Sequence, residues 1–220
     1  MSVSLNLDSG RLCLPKPVRI LVAVMLFMWV GYQGVSASGV KEDSLSHVGN
    51  KGSWYLKTSL PAWGAAIVNV AGEWDCADRW SLALDLGYSA WDYGKSTRKF
   101  RTFLFRPEAR YWFSDGHKGW FAEGHLAMIS YNVALPDWKW RIQDAAGTHP
   151  ALGGGFGFGY RFPLGHTGRW HMECAVGGGV YALRYDRFEN RRGGAFHDTV
   201  SKVWVGIDNV ALSLVYTLNL

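Results

Sequence analysis

Two histidines in this chain stand two residues from a glutamate, a spacing that could support proton transfer or metal binding. His125 follows Glu123, and Glu173 follows His171. Side chains two residues apart on a strand point to the same face, so each pair could share a proton or a metal ion. We interpret both pairs as polar groups in the interior or at the rim of the fold, because no cysteine or histidine adds a metal-ligand spacing. We therefore expect no metal and no cofactor.

Patterns typical of hydrolases and nucleotide-binding proteins are missing from the sequence. A serine hydrolase needs a serine beside a histidine, but Ser130 stands five residues from His125 and so on the opposite face of a strand. The run GGGFGFG at 153–159 is superficially similar to a dinucleotide-binding loop. That loop must open a helix, and no helical pattern follows it. The sequence predicts no catalytic residues, and we expect a protein that is not an enzyme.

Charged residues recur on one face of segments that alternate between polar and apolar side chains. Such alternation with period two indicates strands whose two faces meet different surroundings. We interpret the charged face as the interior of a closed barrel, filled by paired charges. A proton or ion path is the alternative, but an eight-stranded barrel is too narrow for an aqueous channel. The predicted network of interior charges is Lys57, Glu73, Asp85, Arg106, Glu108, Arg110, Glu123, Arg161 and Glu173.

Turn signals divide the chain into eight alternating segments. The connections between them are alternately short and long, as in barrels with short turns on the periplasmic side and long loops outside. The long ones include 134–150 and 186–208, and Val200–Val205 is either part of the second loop or an extension of the last hairpin. We predict an all-β fold, an eight-stranded antiparallel up-and-down outer-membrane β-barrel. Its strands lie near 51–60, 67–74, 79–92, 100–113, 119–133, 152–162, 169–185 and 209–220.

The composition favours a sheet with one apolar and one polar face. Hydrophobic residues make up 48% of the chain, yet the mean hydropathy is −0.06, whereas helical membrane proteins need apolar runs of about 18 residues or more. Aromatic residues crowd the strand ends of the apolar face, as in the aromatic girdle of membrane barrels. This favours a membrane barrel over a soluble lipocalin-like barrel, whose apolar face points inward. The net charge of +5 is interspersed, so we expect no nucleic-acid partner.

The N-terminus has the three parts of a secretory signal. Basic residues precede an apolar run at 20–30, and small residues follow it, with a cleavage site after Ala37. The run is too short to span a membrane comfortably. Cys76 and Cys174 remain after cleavage, and we expect no disulfide between them. We predict a signal peptide at 1–37, a polar leader at 38–50 and a transmembrane β-barrel at 51–220.

Five motifs carry a resemblance to a known family. In order and spacing they resemble a family of small outer-membrane β-barrels that is typical of Bacteroidetes and is known only as a domain of unknown function. The resemblance implies an eight-stranded barrel with no known activity, often encoded near fimbrial or surface-assembly genes. The motifs are KTSL at 57–60, NVAGEW at 69–74, DRWSLALDLGY at 78–88, RPEARYWF at 106–113 and ALSLVYTL at 211–218.

The loop 134–150 is the predicted place for a partner-binding site. Trp138 and Trp140 alternate there with Lys139 and Arg141, and tryptophan and arginine are enriched at binding hot spots. The alternative is that these residues anchor the barrel among lipid headgroups. We expect a non-enzymatic outer-membrane barrel with a structural or surface-assembly role, whose partners are outer-membrane lipids and a surface or fimbrial protein. The alternatives are a lipid-modifying enzyme of the outer membrane and a soluble periplasmic ligand-binding barrel.

Overall fold

The computed structural model describes residues 52–92, 98–135, 138–165 and 167–218. The predicted signal peptide and polar leader lie outside these residues. The described chain is nearly all strand, with one short helix. Its elements are β1 (Trp54–Ser59), α1 (Leu60–Gly64), β2 (Val68–Ala77), β3 (Trp80–Asp92), β4 (Lys99–Trp112), β5 (Gly119–Ala134), β6 (Trp140–Asp144), β7 (Ala151–Leu164), β8 (Trp170–Glu189) and β9 (Phe196–Leu218).

Antiparallel pairing closes the sheet into a ring. The order around the ring is β1, β2, β3, β4, β5, β7, β8 and β9, and β9 pairs back with β1. The short strand β6 pairs with β5 and β8, the same two strands that hold β7, and so continues the position of β7. The predicted all-β antiparallel barrel with eight strand positions is confirmed.

The two ends of the barrel differ. At one end, which we call the turn end, β1 begins, β9 ends, and short turns follow β2, β4 and β7. At the other end, which we call the loop end, β8 and β9 extend furthest, and β6 pairs with β8 in this extension. A long hairpin of two strands therefore rises at the loop end on one side of the ring.

The prediction that 186–208 is a loop was wrong. β8 runs on to Glu189 and β9 begins at Phe196, so the two strands stay paired through this region, with Val200 opposite Tyr185 and Val205 opposite Val180. The charged and glycine-rich residues at 186–194 hid the alternation, and cross-strand pairing stabilises the extension that local propensity does not favour. Of the two alternatives for Val200–Val205, the extended hairpin is confirmed.

The predicted loop 134–150 is also only partly a loop. Trp140–Asp144 forms β6, with Ile142 opposite Val133 of β5 and opposite Arg187 of β8. The prediction missed this strand because five residues are too few to display a clear alternation. β6 exists because β8 extends far enough to offer it a partner.

A seam in the wall lies where β1 is short. β1 ends at Ser59, and Pro61 follows in the first turn of α1, where its missing N–H costs nothing. The side chain of Asn69 on β2 closes the ladder at this point: its Oδ1 accepts from Ser59 N at 2.6 Å, and its Nδ2 donates to Ser59 O at 3.1 Å. Among the described residues, no strand pairs with β9 on the β1 side beyond Ser213.

Glycines on the inner face let β7 and β8 approach closely. A Cβ on Gly155 would lie 2.2 Å from the carbonyl oxygen of Gly178, and one on Gly159 would lie 2.2 Å from Cζ of Phe121. Neither position has space for a side chain. The glycine runs are therefore needed for the tight curvature of a small barrel. Both described cysteines are free, and Cys76 lies on β2, which runs beyond the predicted strand at 67–74.

The charged side chains of the barrel wall lie mostly inside and most of its large apolar side chains lie outside, although Trp112 and Phe121 are fully buried in the interior. On β3, Ser81 is buried, whereas Leu82 is 48% exposed. On β7, Arg161 is 1% exposed, whereas Phe156 is 79% exposed. This is the reverse of the arrangement in soluble lipocalin-like barrels, whose apolar faces point inward.

Candidate functional site

The interior of the barrel contains a continuous network of ion pairs that joins all nine charged residues predicted from the sequence. Near the turn end, Glu73 of β2 is its centre. Lys57 Nζ lies 2.8 Å from a Glu73 oxygen, and Arg161 Nη2 lies 2.6 Å from the same oxygen. Arg161 also binds Glu173 at 2.8 Å. These side chains come from four different strands, so the network connects the walls of the barrel across its interior.

The network continues toward the loop end through two arginines of β4. Arg110 lies within 3.4 Å of carboxylate oxygens of four glutamates: Glu108 at 2.7 Å, Glu173 at 2.8 Å, Glu123 at 3.2 Å and Glu73 at 3.4 Å. Four residues earlier on the same strand, Arg106 pairs with Glu108, with Asp85 at 3.3 Å and with Glu123 at 3.9 Å.

This arrangement fills the interior with mutually paired charges. Buried charges are costly unless each has a partner of opposite sign. Four cations and five carboxylates satisfy one another here, and the guanidinium of Arg161 also lies over the ring of Trp112 at 4.5 Å. We interpret the network as the packing of the barrel interior.

Two further clusters, which the sequence did not predict, flank the network. Each consists of an aspartate, a tyrosine and a histidine. At the turn end, Tyr55 donates to Asp75 at 2.8 Å, and His117 Nδ1 lies 3.2 Å from the same oxygen. Toward the loop end, the carboxylate oxygen Oδ2 of Asp208 lies 2.6 Å from Tyr181 Oη and 2.7 Å from His125 Nε2.

Asp208 reaches the interior through a β-bulge. The register of β8 and β9 shifts so that Gly177 faces Asn209 and Gly178 faces Ile207, leaving Asp208 without an opposite residue. A bulge of this kind re-aims a side chain relative to the alternation of its strand. Sequence reasoning missed Asp208 because it placed the residue in a loop. The signal that could have found Asp208 was the alternation at 203–207, which indicates a strand directly before this residue.

The two His-x-Glu pairs do not meet as pairs. His125 is directed to Asp208, while Glu123 accepts from Asn209 at 3.0 Å. His171 lies at the turn end of β8, near the buried Glu173, whose carboxylate is paired with Arg110 and Arg161. In the part of the chain that the structure describes, no group of three or more His, Cys, Asp or Glu side chains could hold a metal ion.

A ring of aromatic side chains surrounds the outside of the barrel at the turn end. Each of the eight strands of the ring contributes one aromatic residue, and neighbours contact each other in four pairs. Their ring centroids are 4.7 to 6.0 Å apart. We call this set the aromatic ring. Its pairs are Trp54–Trp74, Trp80–Tyr111, Trp120–Tyr160 and Trp170–Tyr216.

The predicted partner-binding residues separate into two groups at the loop end. Trp138, which is 44% exposed, and Lys139 precede β6 and face solvent. Trp140 and Arg141 are half-buried on β6: Trp140 stacks on His197 with 4.3 Å between ring centroids, and Arg141 lies over Phe188.

An exposed ion pair lies beside this stack. Arg187 of β8 bonds to Asp198 of β9, and this hydrogen bond holds the pKa of the Asp198 carboxyl below its ordinary value. The pair joins the two strands of the extension and, being exposed, adds little to its stability.

The comparisons with known proteins place the chain in a family without an assigned role. A family model described as "Protein of unknown function (DUF3575)" matches residues 36–218. The chain belongs to this family. No curated protein and no solved structure matches the chain. Among the described residues, no helix has the length and apolar character needed to cross a membrane.

Proposed function

We propose that this DUF3575 chain is a non-enzymatic β-barrel of the bacterial outer membrane with a structural or surface-assembly role. The observation that carries the proposal is the aromatic ring, to which all eight strand positions contribute, below an apolar outer face. Outer-membrane barrels have an outward apolar band bordered by aromatic girdles, and an interior that is polar. The charged network in the interior agrees with the polar interior of such barrels.

The lengths of the strands agree with the thickness of a membrane. A tilted transmembrane strand needs about 9–11 residues, and the strands β2, β3, β4, β5 and β7 have 10 to 16 residues. Soluble proteins rarely expose apolar patches above a few hundred Å². A belt of exposed leucine, valine and phenylalanine around the whole ring therefore favours lipid as its surroundings, against a soluble periplasmic barrel.

A role without catalysis is supported by the interior charges. Each of the nine network residues has a partner of opposite sign within 4 Å, which leaves this group committed to packing. A lipid-modifying enzyme would need a nucleophile beside a base. Ser130, the candidate serine near His125, stands opposite Phe103 in the β4–β5 ladder, and His125 is directed to Asp208.

A surface-assembly role rests on the loop end. There Trp138 and Lys139 are exposed next to β6, and tryptophan is enriched at binding hot spots. The family resemblance noted from the motifs adds an expected setting near fimbrial or surface-assembly genes. We propose that this end faces outward and contacts a surface or fimbrial protein.

The experiment is refolding of the mature chain into lipid vesicles, followed by electrophoresis with and without boiling. A closed barrel without free edges stays compact in detergent, so we expect the unboiled band to migrate differently from the boiled one. Cell fractionation should place the protein in the outer membrane. Equal migration of both samples from a folded preparation, or recovery in the soluble periplasmic fraction, would contradict the proposal.

Trp120→Ala and Trp138→Ala provide a matched pair of variants. Trp120 belongs to the aromatic ring and is 62% exposed, whereas Trp138 lies beyond the ring at the loop end. We expect Trp120→Ala to slow or weaken insertion into vesicles and Trp138→Ala to insert as the wild-type chain does. In a pull-down from surface extracts, Trp138→Ala should instead lose the partner that the wild-type chain captures.

A further inference from the structure

A cavity of about 420 Å³, open on one side, lies toward the loop end of the barrel and is lined mainly by inward-facing residues. β5, β6, β7, β8 and β9 contribute to its lining, and it lies beyond the charged network. Its volume is in the range of small-molecule sites. Most of the lining is aromatic or aliphatic, and its main polar groups are the Tyr hydroxyls, Asp208 and Lys202.

The acidic group of this cavity is Asp208. Its side chain is 6% exposed, and that of its partner His125 is fully buried. Oδ2 of Asp208 contacts Tyr181 and His125, while its Oδ1 has no hydrogen-bond partner among the described residues. A buried carboxylate oxygen without a donor is costly, so a ligand that supplies a donor would be favoured here once the Asp208 carboxylate turns toward it.

The charge balance below the cavity also favours a cation. Asp75 and Asp208 add two carboxylates to the five of the network, whose cations number four, and Lys202 adds a fifth cation at the cavity. Among these groups the carboxylates outnumber the cations. The electrostatic field of an excess of negative charge attracts positively charged ligands into a cleft with low-dielectric walls.

The walls of the cavity suit an ammonium group on an apolar body. Tyr131, Tyr181, Tyr185 and Trp204 offer ring faces, and Tyr181 and Trp204 lie 5.8 Å apart between centroids beside Asp208. Cations bind to such faces, most strongly where water is excluded. The chain itself places an ammonium there: Lys202 Nζ lies 5.9 Å from the ring centroid of Tyr185.

We propose that this cavity binds an organic cation, a primary ammonium carried on an apolar body, with the ammonium donating to Asp208. The apolar body lies against the aliphatic part of the wall, which Ile129, Ile142 and Leu183 provide. The ligand source is either a free amine or the ethanolamine headgroup of a lipid, since both present the same ammonium. The proposal does not depend on the barrel's location or on its partner.

The test is titration of the refolded barrel in an uncharged maltoside detergent, followed by Trp fluorescence and calorimetry. The probes are 2-phenylethylamine and its neutral analogue 2-phenylethanol. We expect the amine to bind and the alcohol to bind at least about tenfold more weakly, as expected for loss of a charged hydrogen bond. Equal affinity of the two probes would overturn the proposal, and this comparison needs no variant.

Three substitutions locate the site. Asp208→Asn should weaken amine binding at least about tenfold, while Asp198→Asn, an exposed aspartate on the same strand, should leave it unchanged. Lys202→Gln should leave amine binding equal or stronger, because it removes a competing positive charge. Unchanged binding in Asp208→Asn, or weaker binding in Lys202→Gln, would overturn the proposal.

A further variant in the lining of the cavity is available in case Asp208→Asn does not fold. If Asp208→Asn does not keep the mobility of a folded barrel, Trp204→Leu serves instead, and it should weaken amine binding severalfold. Unchanged binding in that variant would overturn the aromatic part of the site. Phosphatidylethanolamine added to the detergent should compete with the amine if the source is a lipid headgroup, and should not compete if the ligand is a free amine.

Discussion

Nη2 of Arg161 lies 2.6 Å from Oε2 of Glu73, although 88 positions separate the two residues. Arg161 belongs to β7 and Glu73 to β2, which stand opposite each other in the ring of eight strands. The bond therefore crosses the full interior of the barrel. Side chains that span a barrel leave no continuous aqueous path, as expected for eight strands.

We expect Arg161→Leu to destabilise the barrel by about 3–5 kcal/mol, because it removes the closest cation of Glu73 and one of the two closest cations of Glu173 from a buried site. The control is Phe103→Leu, which replaces one outward-facing apolar side chain with another and should be nearly neutral. The measurement is urea unfolding of both variants in lipid vesicles. The reverse ranking would mean that the inner and outer faces are exchanged.

A double variant separates loss of the ion pair from loss of packing. Arg161→Leu combined with Glu73→Gln removes one of the two carboxylates that lose a partner in the single change. We expect the double variant to be less destabilised than the sum of the two single changes, since residues in one network couple. Simple additivity in the same unfolding assay would contradict the role of this pair in the network.

The glycines of the inner face give a second prediction. Gly155→Ala should destabilise the barrel by about 1–3 kcal/mol, because the new Cβ would meet the backbone carbonyl of Gly178 at 2.2 Å. Gly72→Ala is the matched control, since nothing lies within 4 Å of a Cβ there. Equal unfolding midpoints for the two variants would show that β7 does not need its close approach to β8.

The seam beside β1 gives a third prediction. Asn69→Ala removes the side chain that binds both backbone groups of Ser59, and we expect faster hydrogen exchange at Ser59 and in α1. Asn132→Ala, which removes one side-chain bond to Gln143 on β6, should leave exchange in α1 unchanged. Mass-spectrometric exchange on the refolded chain measures both, and identical rates in α1 would count against closure of the seam by Asn69.

The orientation of the barrel gives a fourth prediction. A tag inserted between Ala146 and Gly147, two exposed residues at the loop end, should be reached by antibody on intact cells. A tag between Ser114 and Asp115, exposed residues at the turn end, should be reached only after the outer membrane is permeabilised. Both expectations follow from long loops outside and short turns inside. The opposite labelling pattern would invert the proposed topology.

The sequence by itself determined the class of fold and the contents of the interior. Period-two alternation assigns each residue of a regular strand to one of two faces, because successive side chains of a strand point to opposite sides. The nine predicted charges therefore appear together in the structure, and residues such as Phe105 and Leu84 appear outside.

Only the tertiary structure decided which irregular segments became strands and where the alternation was broken. β6 and the extended hairpin form because neighbouring strands offer them backbone partners, a condition that local sequence does not contain. Asp208 enters the interior because one extra residue in β9 makes a bulge opposite Gly177 and Gly178. A bulge inverts the face assignment beyond it, so the Asp208 cluster became visible only once the register of β8 and β9 was known.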